Sequence, residues 1–205
     1  MAKLFLVRHA STIWAGTGRY QGFSDVPLNQ EGLEQGEKLG KRLLGEKFTA
    51  VYSSDLQRAH RTAQLIVSPR NPTPVITTTP DIRELNFGDF DGQVSQEVTA
   101  KAPDSAEIWW GRNVTRPFPG GESLQDLSDR VQRFLKKYVP AGEGDSILIV
   151  AHTGAVAIMT CLLLGIGIDH WWRFKTDNTA LGIIETFPGG AVLKLFNDCR
   201  HLDPV

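Results

Sequence analysis

Apolar residues fall on consecutive positions, without alternation, in three short runs of the chain. Leu4 to Val7 is the first, and this pattern predicts a short strand covered on both faces, as in a parallel sheet between helices. It stops at Arg8 and His9. Ser146 to Val150 repeats the design, ends in Ala151 and His152, and leads into a predicted helix from Ala155 to Leu164. Ala50 to Ser54 is the third. It precedes a predicted helix from Asp55 to Val67, with Asp55 as N-cap and Arg58 in the first turn. In open α/β sheets, ligands bind beyond the carboxyl ends of the strands. Any one of these polar residues reads equally well as chain leaving the core. As a set, three strand ends can deliver Arg8, His9, Arg58 and His152 to one pocket.

The remaining pattern fills in an α/β chain. A helix is expected from Gln30 to Leu44, with Gly32, Gly36 and Gly40 forming a smooth stripe. Each glycine costs roughly 1 kcal/mol relative to alanine, so close packing against the sheet is the expected compensation. Gly36 to Lys41 lacks Walker spacing and is not a phosphate loop. Pro69, Pro72 and Pro74 precede a short strand near Val75 to Thr77. Ser11 to Gly18 and Asp81 to Gly92 read as loops, the second holding four carboxylates among which composition does not choose. Residues 94–121 read as short helices and a loop made rigid by Trp109, Trp110, Pro117, Phe118 and Pro119. Ser123 and Asp126 form a capping-box-like start to a helix from Leu124 to Tyr138. Strands at 181–187 and 191–196 follow, joined by Pro188-Gly189-Gly190. With no linker, repeat or low-complexity segment, residues 1–205 read as one domain. Its expected class is α/β, a three-layer αβα sandwich with a mostly parallel central sheet and helices on both faces.

Composition narrows the partners. The 205 residues carry a formal net charge of −1, which gives no sign of a nucleic-acid or membrane partner. The longest apolar stretch, Ala155 to Ile168, is shorter than the ~18 residues that suggest a membrane span. The apolar run at the N-terminus is too short for a signal peptide. Cys161 and Cys199 lack any CxxC or zinc-type spacing, and the five histidines show no HExxH. No metal and no cofactor are expected, and the simplest location is cytoplasmic.

The stretch Leu6-Val7-Arg8-His9-Ala10 resembles the signature of the histidine phosphatase superfamily, which includes the cofactor-dependent phosphoglycerate mutases. The resemblance continues, in order, through Arg19-Tyr20-Gln21-Gly22, Asp25-Val26-Pro27-Leu28, Tyr52-Ser53-Ser54, Arg58-Ala59, Arg83-Glu84, Gly120-Gly121-Glu122-Ser123 and Val150-Ala151-His152. It implies a phosphoglycerate mutase-like fold. It also implies that Arg8, Arg58 and His152 hold a phosphoryl group, that His9 attacks it, and that Glu84 is the proton donor, with Asp89 and Asp91 left as turn residues. Substrate contacts are expected at Ser11, Gln21, Gly22, Phe87 and Thr153, and the 94–121 insertion is expected to lie over the pocket. Four positions depart from the family pattern: Ala10 replaces glycine, Ser11 replaces glutamate, Ala15 replaces a phosphate-contacting asparagine, and Phe87 replaces a histidine of the phosphoserine phosphatases. In the tail, Asp177-Asn178 and Cys199 to Leu202 resemble metal-independent phosphoserine phosphatases, and Trp172 to Asp177 resembles the α-ribazole phosphatases. The expected activity is metal-independent hydrolysis of a small phosphorylated metabolite, phosphoserine first and α-ribazole phosphate next. The alternatives are a phosphoglycerate mutase and an inactive relative that binds phosphoryl ligands or a protein. The final strand and the Trp171-Trp172 pair are candidate surfaces for a homodimer.

Overall fold

A computed structural model describes residues 1–101, 113–139 and 144–203. Six strands form one sheet: β1 (Ala2–Arg8), β2 (Ala50–Ser54), β3 (Ile76–Thr79), β4 (Ser146–Ala151), β5 (Leu181–Phe187) and β6 (Gly190–Asp198), in the order β3-β2-β4-β1-β5-β6. The first four positions are parallel, and β5 and β6 add an antiparallel hairpin. Pro188 and Gly189 make its turn, with Gly189 at φ +91°, a conformation that glycine adopts freely.

The unbroken apolar runs follow from covering both faces of the sheet. Along β1 and β4, Leu4, Leu6, Ile147 and Ile149 point to one core, built with Leu127, Val131 and Phe134 of helix α4 (Leu124–Tyr138) and with helix α5 (Thr153–Leu164). Phe5, Val7, Leu148 and Val150 point to the other, built with Leu39 of α1 (Gln30–Arg42) and with Ala59, Ala63 and Ile66 of α2 (Gln57–Val67). Among the described residues no helix is long and apolar enough to cross a membrane.

Two local expectations are corrected, at the start of α2 and at the glycine stripe of α1. Helix α2 begins at Gln57, and Asp55 does not cap it. Asp55 instead pairs with Arg83 at 2.5 and 2.7 Å, while Asp25, far away in sequence, accepts the Gln57 N–H at 2.7 Å. The glycine stripe of α1 faces α2 and the loop after β1 rather than the sheet: a Cβ on Gly36 or Gly40 would strike Leu65, and one on Gly32 would strike the Ser11 backbone. Ser123 and Asp126 do form the expected capping box.

Part of the 94–121 insertion, including Trp109 and Trp110, lies outside the described residues. The described part comprises a third helix, α3 (Ser95–Lys101), and a loop whose Phe118 is buried. Phe118 packs edge-on against Phe87, with ring centroids 5.2 Å apart, and Phe87 lies 4.9 Å from Tyr20.

Candidate active site

Register brings the two strand-end histidines together. Strands β1 and β4 are neighbours, Arg8 pairs with Ala151, and the His9 N–H continues the ladder to the Ala151 carbonyl at 2.9 Å. The two imidazoles then lie side by side, with centroids 5.1 Å apart. Nδ1 of His9 sits 2.8 Å from the Ala10 carbonyl oxygen. A carbonyl only accepts, so Nδ1 carries the proton and Nε2 keeps its lone pair. Burial, and then the nearby Arg58 and Arg8 charges, hold His9 well below the usual histidine range. His152 is lowered by the same burial and by Arg58. Both rings are therefore neutral at pH 7. The segment after Arg173 secures the strand end from the other side: the Asn178 amide donates to the His9 carbonyl at 2.9 Å, and the Thr179 N–H donates to that of Arg8 at 3.1 Å.

Arg58 has no exposed surface. Its Nη1 donates to the Ser24 carbonyl at 2.8 Å and its Nη2 to that of Gly22 at 2.7 Å. Asp91 fixes this loop by accepting the Gly22 and Ser24 N–H groups at 3.0 and 2.8 Å, so it is more than a turn residue. Burial pushes Arg58 down to about 10, against the pull of Glu84, Asp25 and Asp91, which leaves it charged at neutral pH. Arg8 Nη1 donates to the Thr176 carbonyl at 2.6 Å. Nε of Arg8, Nε of Arg58 and both ring nitrogens of His152 are buried without a hydrogen-bond partner among the described residues. A buried polar group left unpaired costs about 1–3 kcal/mol. Phosphoryl oxygens, which only accept, match donors from all three side chains.

Glu84 is buried, and its Oε1 accepts the N–H groups of Leu85 and Gly154, each at 3.0 Å. Gly154 lies in the first turn of α5, where free N–H groups and the helix dipole suit a carboxylate. Arg130 of α4 clamps the segment behind Glu84: it donates to the carbonyls of Asp81, Arg83 and Glu84 at 3.1, 2.7 and 2.7 Å and forks onto both Glu122 oxygens at 2.9 Å.

A cavity of about 350 Å³ opens here. Of the residues expected from sequence, Arg8, His9, Gln21, Glu84, Phe87 and Thr153 line it. Arg58 and His152, both fully buried, are not in its wall. Ser11 and Gly22 are not in the wall either. The Ser11 hydroxyl accepts from Asn29 at 3.1 Å, and Gly22 is packed so that a Cβ would strike Leu85 and Phe87. Sequence reasoning did not single out Trp14, Arg19, Tyr20, Lys175 and Asn178, which also line it, and Thr12, Ala15, Gly16 and Gly18 make up the rest of the wall. Of the first five, all but Trp14 stand inside segments that carried the resemblance, which was the available signal. Ala15 is in the wall with no amide to offer. Among the described residues no group of three His, Cys, Asp or Glu side chains is placed to hold a metal ion.

Comparison with known proteins agrees with this geometry. The pattern of the Histidine phosphatase superfamily (branch 1) matches residues 4–199. Phosphoserine phosphatase 1 of Hydrogenobacter thermophilus is 33% identical over 98% of this chain and 95% of its own length. Adenosylcobalamin/alpha-ribazole phosphatase of Escherichia coli is 29% identical over 95% of each. Among solved structures, Bacillus stearothermophilus YhfR superimposes with a TM-score of 0.90 at 28% identity, covering 99% of this chain and 100% of its own.

Proposed function

The chain belongs to the histidine phosphatase superfamily as a phosphatase, and we propose that it is a metal-independent phosphomonoesterase working through a phosphohistidine on His9. The observation that carries this reading is the fixed tautomer of His9 beside buried donors of His152, Arg8 and Arg58. The two guanidinium groups and the His152 N–H offset charge on the phosphoryl oxygens as bonding to phosphorus changes. Nε2 of His9 attacks phosphorus in line, and the bond to the ester oxygen breaks. Glu84 supplies the proton that the departing alkoxide takes up. Water then attacks the phosphohistidine, gives a proton back to Glu84, and releases inorganic phosphate and free His9. Side-chain cations supply the charge that a metal would otherwise provide, which supports metal independence.

The substrate is a small phosphorylated metabolite, with phosphoserine the first candidate and α-ribazole phosphate the second. The names of the two relatives support both, and Phe87 offers phosphoserine no polar contact.

The test is phosphate release under excess chelator from phosphoserine, α-ribazole phosphate and nitrophenyl phosphate, with His9→Ala and Glu84→Gln alongside. Turnover that survives chelation and disappears in His9→Ala is expected. Glu84→Gln should slow serine-ester hydrolysis far more than nitrophenyl-ester hydrolysis, because nitrophenolate leaves without a proton. Full activity in His9→Ala would overturn the mechanism, and loss of turnover on chelation would overturn metal independence.

A further inference from the structure

The peptide unit that holds the His9 proton is itself held from behind. His9 Nδ1 bonds the Ala10 carbonyl at 2.8 Å, and the N–H of that same peptide unit, which belongs to Ser11, donates to Gln35 Oε1 at 2.9 Å. A backbone N–H only donates, so the oxygen of the Gln35 amide must face Ser11 and its nitrogen must face the other way. There Nε2 donates to Glu31 Oε1 at 3.0 Å. One hydrogen-bond chain thus runs from the Glu31 carboxylate through the Gln35 amide and the Ala10–Ser11 peptide to the His9 ring, with every bond pointing the same way. Gln35 is buried and lies outside the wall of the cavity. Helix α1 comes this close because Gly32 stands where a Cβ would strike the Ser11 backbone, and Gln35 follows three residues later on the same face. Helix α2 holds the preceding peptide: the Thr62 hydroxyl accepts the Ala10 N–H at 3.0 Å and donates to the Arg58 carbonyl at 2.7 Å.

We propose that Gln35 is a positioning residue for phosphoryl transfer, which holds and polarises the peptide unit that His9 Nδ1 bonds. This rests on the phosphatase reading and deepens it. As the Nε2–P bond forms and the bond from phosphorus to the ester oxygen breaks, the proton stays on Nδ1 and the ring gains positive charge. The bond from Nδ1 to the Ala10 carbonyl then strengthens. An acceptor on the Ser11 N–H shifts electron density toward the Ala10 oxygen, and Glu31 does the same to the Gln35 amide. Bonds in such a chain strengthen one another by about 10–30% each. The stabilisation therefore grows from ground state to transition state, which is the kind that raises kcat. The Arg8 and Arg58 charges near the ring oppose a developing imidazolium, and the chain at Nδ1 works in its favour.

The experiment compares wild type, Gln35→Leu, Glu31→Ala and the exchanged pair Glu31→Gln with Gln35→Glu, which keeps an acceptor for the Ser11 N–H and a hydrogen bond between positions 31 and 35. The first readout is the 15N shift of His9 Nδ1, read through the carbon-bound ring protons in histidine-labelled protein and assigned by its absence in His9→Ala. The second is kcat and KM for phosphoserine and nitrophenyl phosphate, with thermal unfolding as the control for folding. In Gln35→Leu the Nδ1 signal should move upfield as its hydrogen bond weakens. Its kcat should fall on the order of tenfold, less than the hundredfold of a full 1 Å misplacement. The fall should be equal on the two esters, because attack rather than proton donation is impaired, and KM should change little. The exchanged pair should restore both the signal and kcat. An unmoved Nδ1 signal or unchanged kcat in folded Gln35→Leu, a loss confined to phosphoserine, or no recovery in the exchanged pair would overturn the inference. Glu31 is exposed, so Glu31→Ala decides if Gln35→Leu does not fold: a smaller upfield shift is expected, and an unmoved signal would overturn the chain. If the wild type hydrolyses neither ester, the phosphatase reading has failed, while the Nδ1 shift still reports whether Gln35 acts on His9.

Discussion

Replacing Gly154 by alanine should separate proton donation from phosphoryl transfer. An added Cβ would sit about 1 Å short of the 3.4 Å where ordinary contact with Glu84 Oε1 begins, and 3.3 Å from Leu127 Cδ2. The helix start cannot tilt away freely with Leu127 behind it, so the carboxylate must give way. In moving it lengthens its bonds to the Gly154 N–H, now 3.0 and 3.2 Å. Over-packing of this kind costs about 1–3 kcal/mol, partly offset by the gain of up to about 1 kcal/mol from alanine over glycine in a helix. Folding should therefore survive, with a modest fall in thermal midpoint. A misplacement of about 1 Å in a catalytic group costs on the order of a hundredfold in rate, or about 2.7 kcal/mol of transition-state stabilisation. That loss should appear for phosphoserine, whose alkoxide needs the proton, and stay within about threefold for nitrophenyl phosphate. The assay is kcat for both esters in wild type and Gly154→Ala, with thermal unfolding as the control. Equal losses on the two esters in a folded variant, or no loss on either, would refute the placement of Glu84 as proton donor.

Arg130→Met removes the clamp behind Glu84 while keeping much of the side-chain volume. It leaves the Glu122 carboxylate and three carbonyls short of donors and should cost about 3–5 kcal/mol of stability, as breaking a buried ion pair does. Among molecules still folded it should lower kcat for phosphoserine more than for nitrophenyl phosphate, and equal effects would make Arg130 structural only. Acid should also destabilise the fold. His9 and His152 are held below the ordinary 6.5, and His201 is lowered to about 4 by burial and Arg42. The unfolded chain takes up protons below pH 6.5 that the folded protein refuses, so stability falls as pH drops through that window, by up to about 1.4 kcal/mol per pH unit for each histidine. Asp55 and Asp198, lowered by arginine partners, act only nearer pH 4 and below. The urea midpoint should accordingly be lower at pH 5 than at pH 7, and a flat or rising midpoint would contradict the burial of neutral imidazoles.

What could be read from the chain was local or came from β-sheet periodicity. The runs ending in Arg8-His9 and Ala151-His152 announce strands because both faces of the sheet are covered, and parallel neighbours put the two histidines side by side. The Ser123–Asp126 capping box is likewise local. What stayed hidden depends on partners distant in sequence. Asp55 has the right residue type for a cap but pairs with Arg83, while Asp25 does the capping. The α1 glycines announce close packing without naming Leu65 or Ser11 as its partners. Ser11 belongs to the loop beside the phosphoryl pocket, yet its hydroxyl turns to Asn29. Lys175 and Arg19, far apart along the chain, line one cavity because β5 returns beside β1.

The proposed mechanism turns on a phosphoryl group carried on Nε2 of His9. The direct measurement is rapid quench in alkaline denaturant during turnover of nitrophenyl phosphate, then peptide mapping and 31P NMR to place the phosphate on a residue and a ring nitrogen. The label is expected on His9 at Nε2, because Nδ1 is held by the Ala10 carbonyl, and none is expected in His9→Ala. A label at Nδ1, on His152 or on any other residue would contradict it.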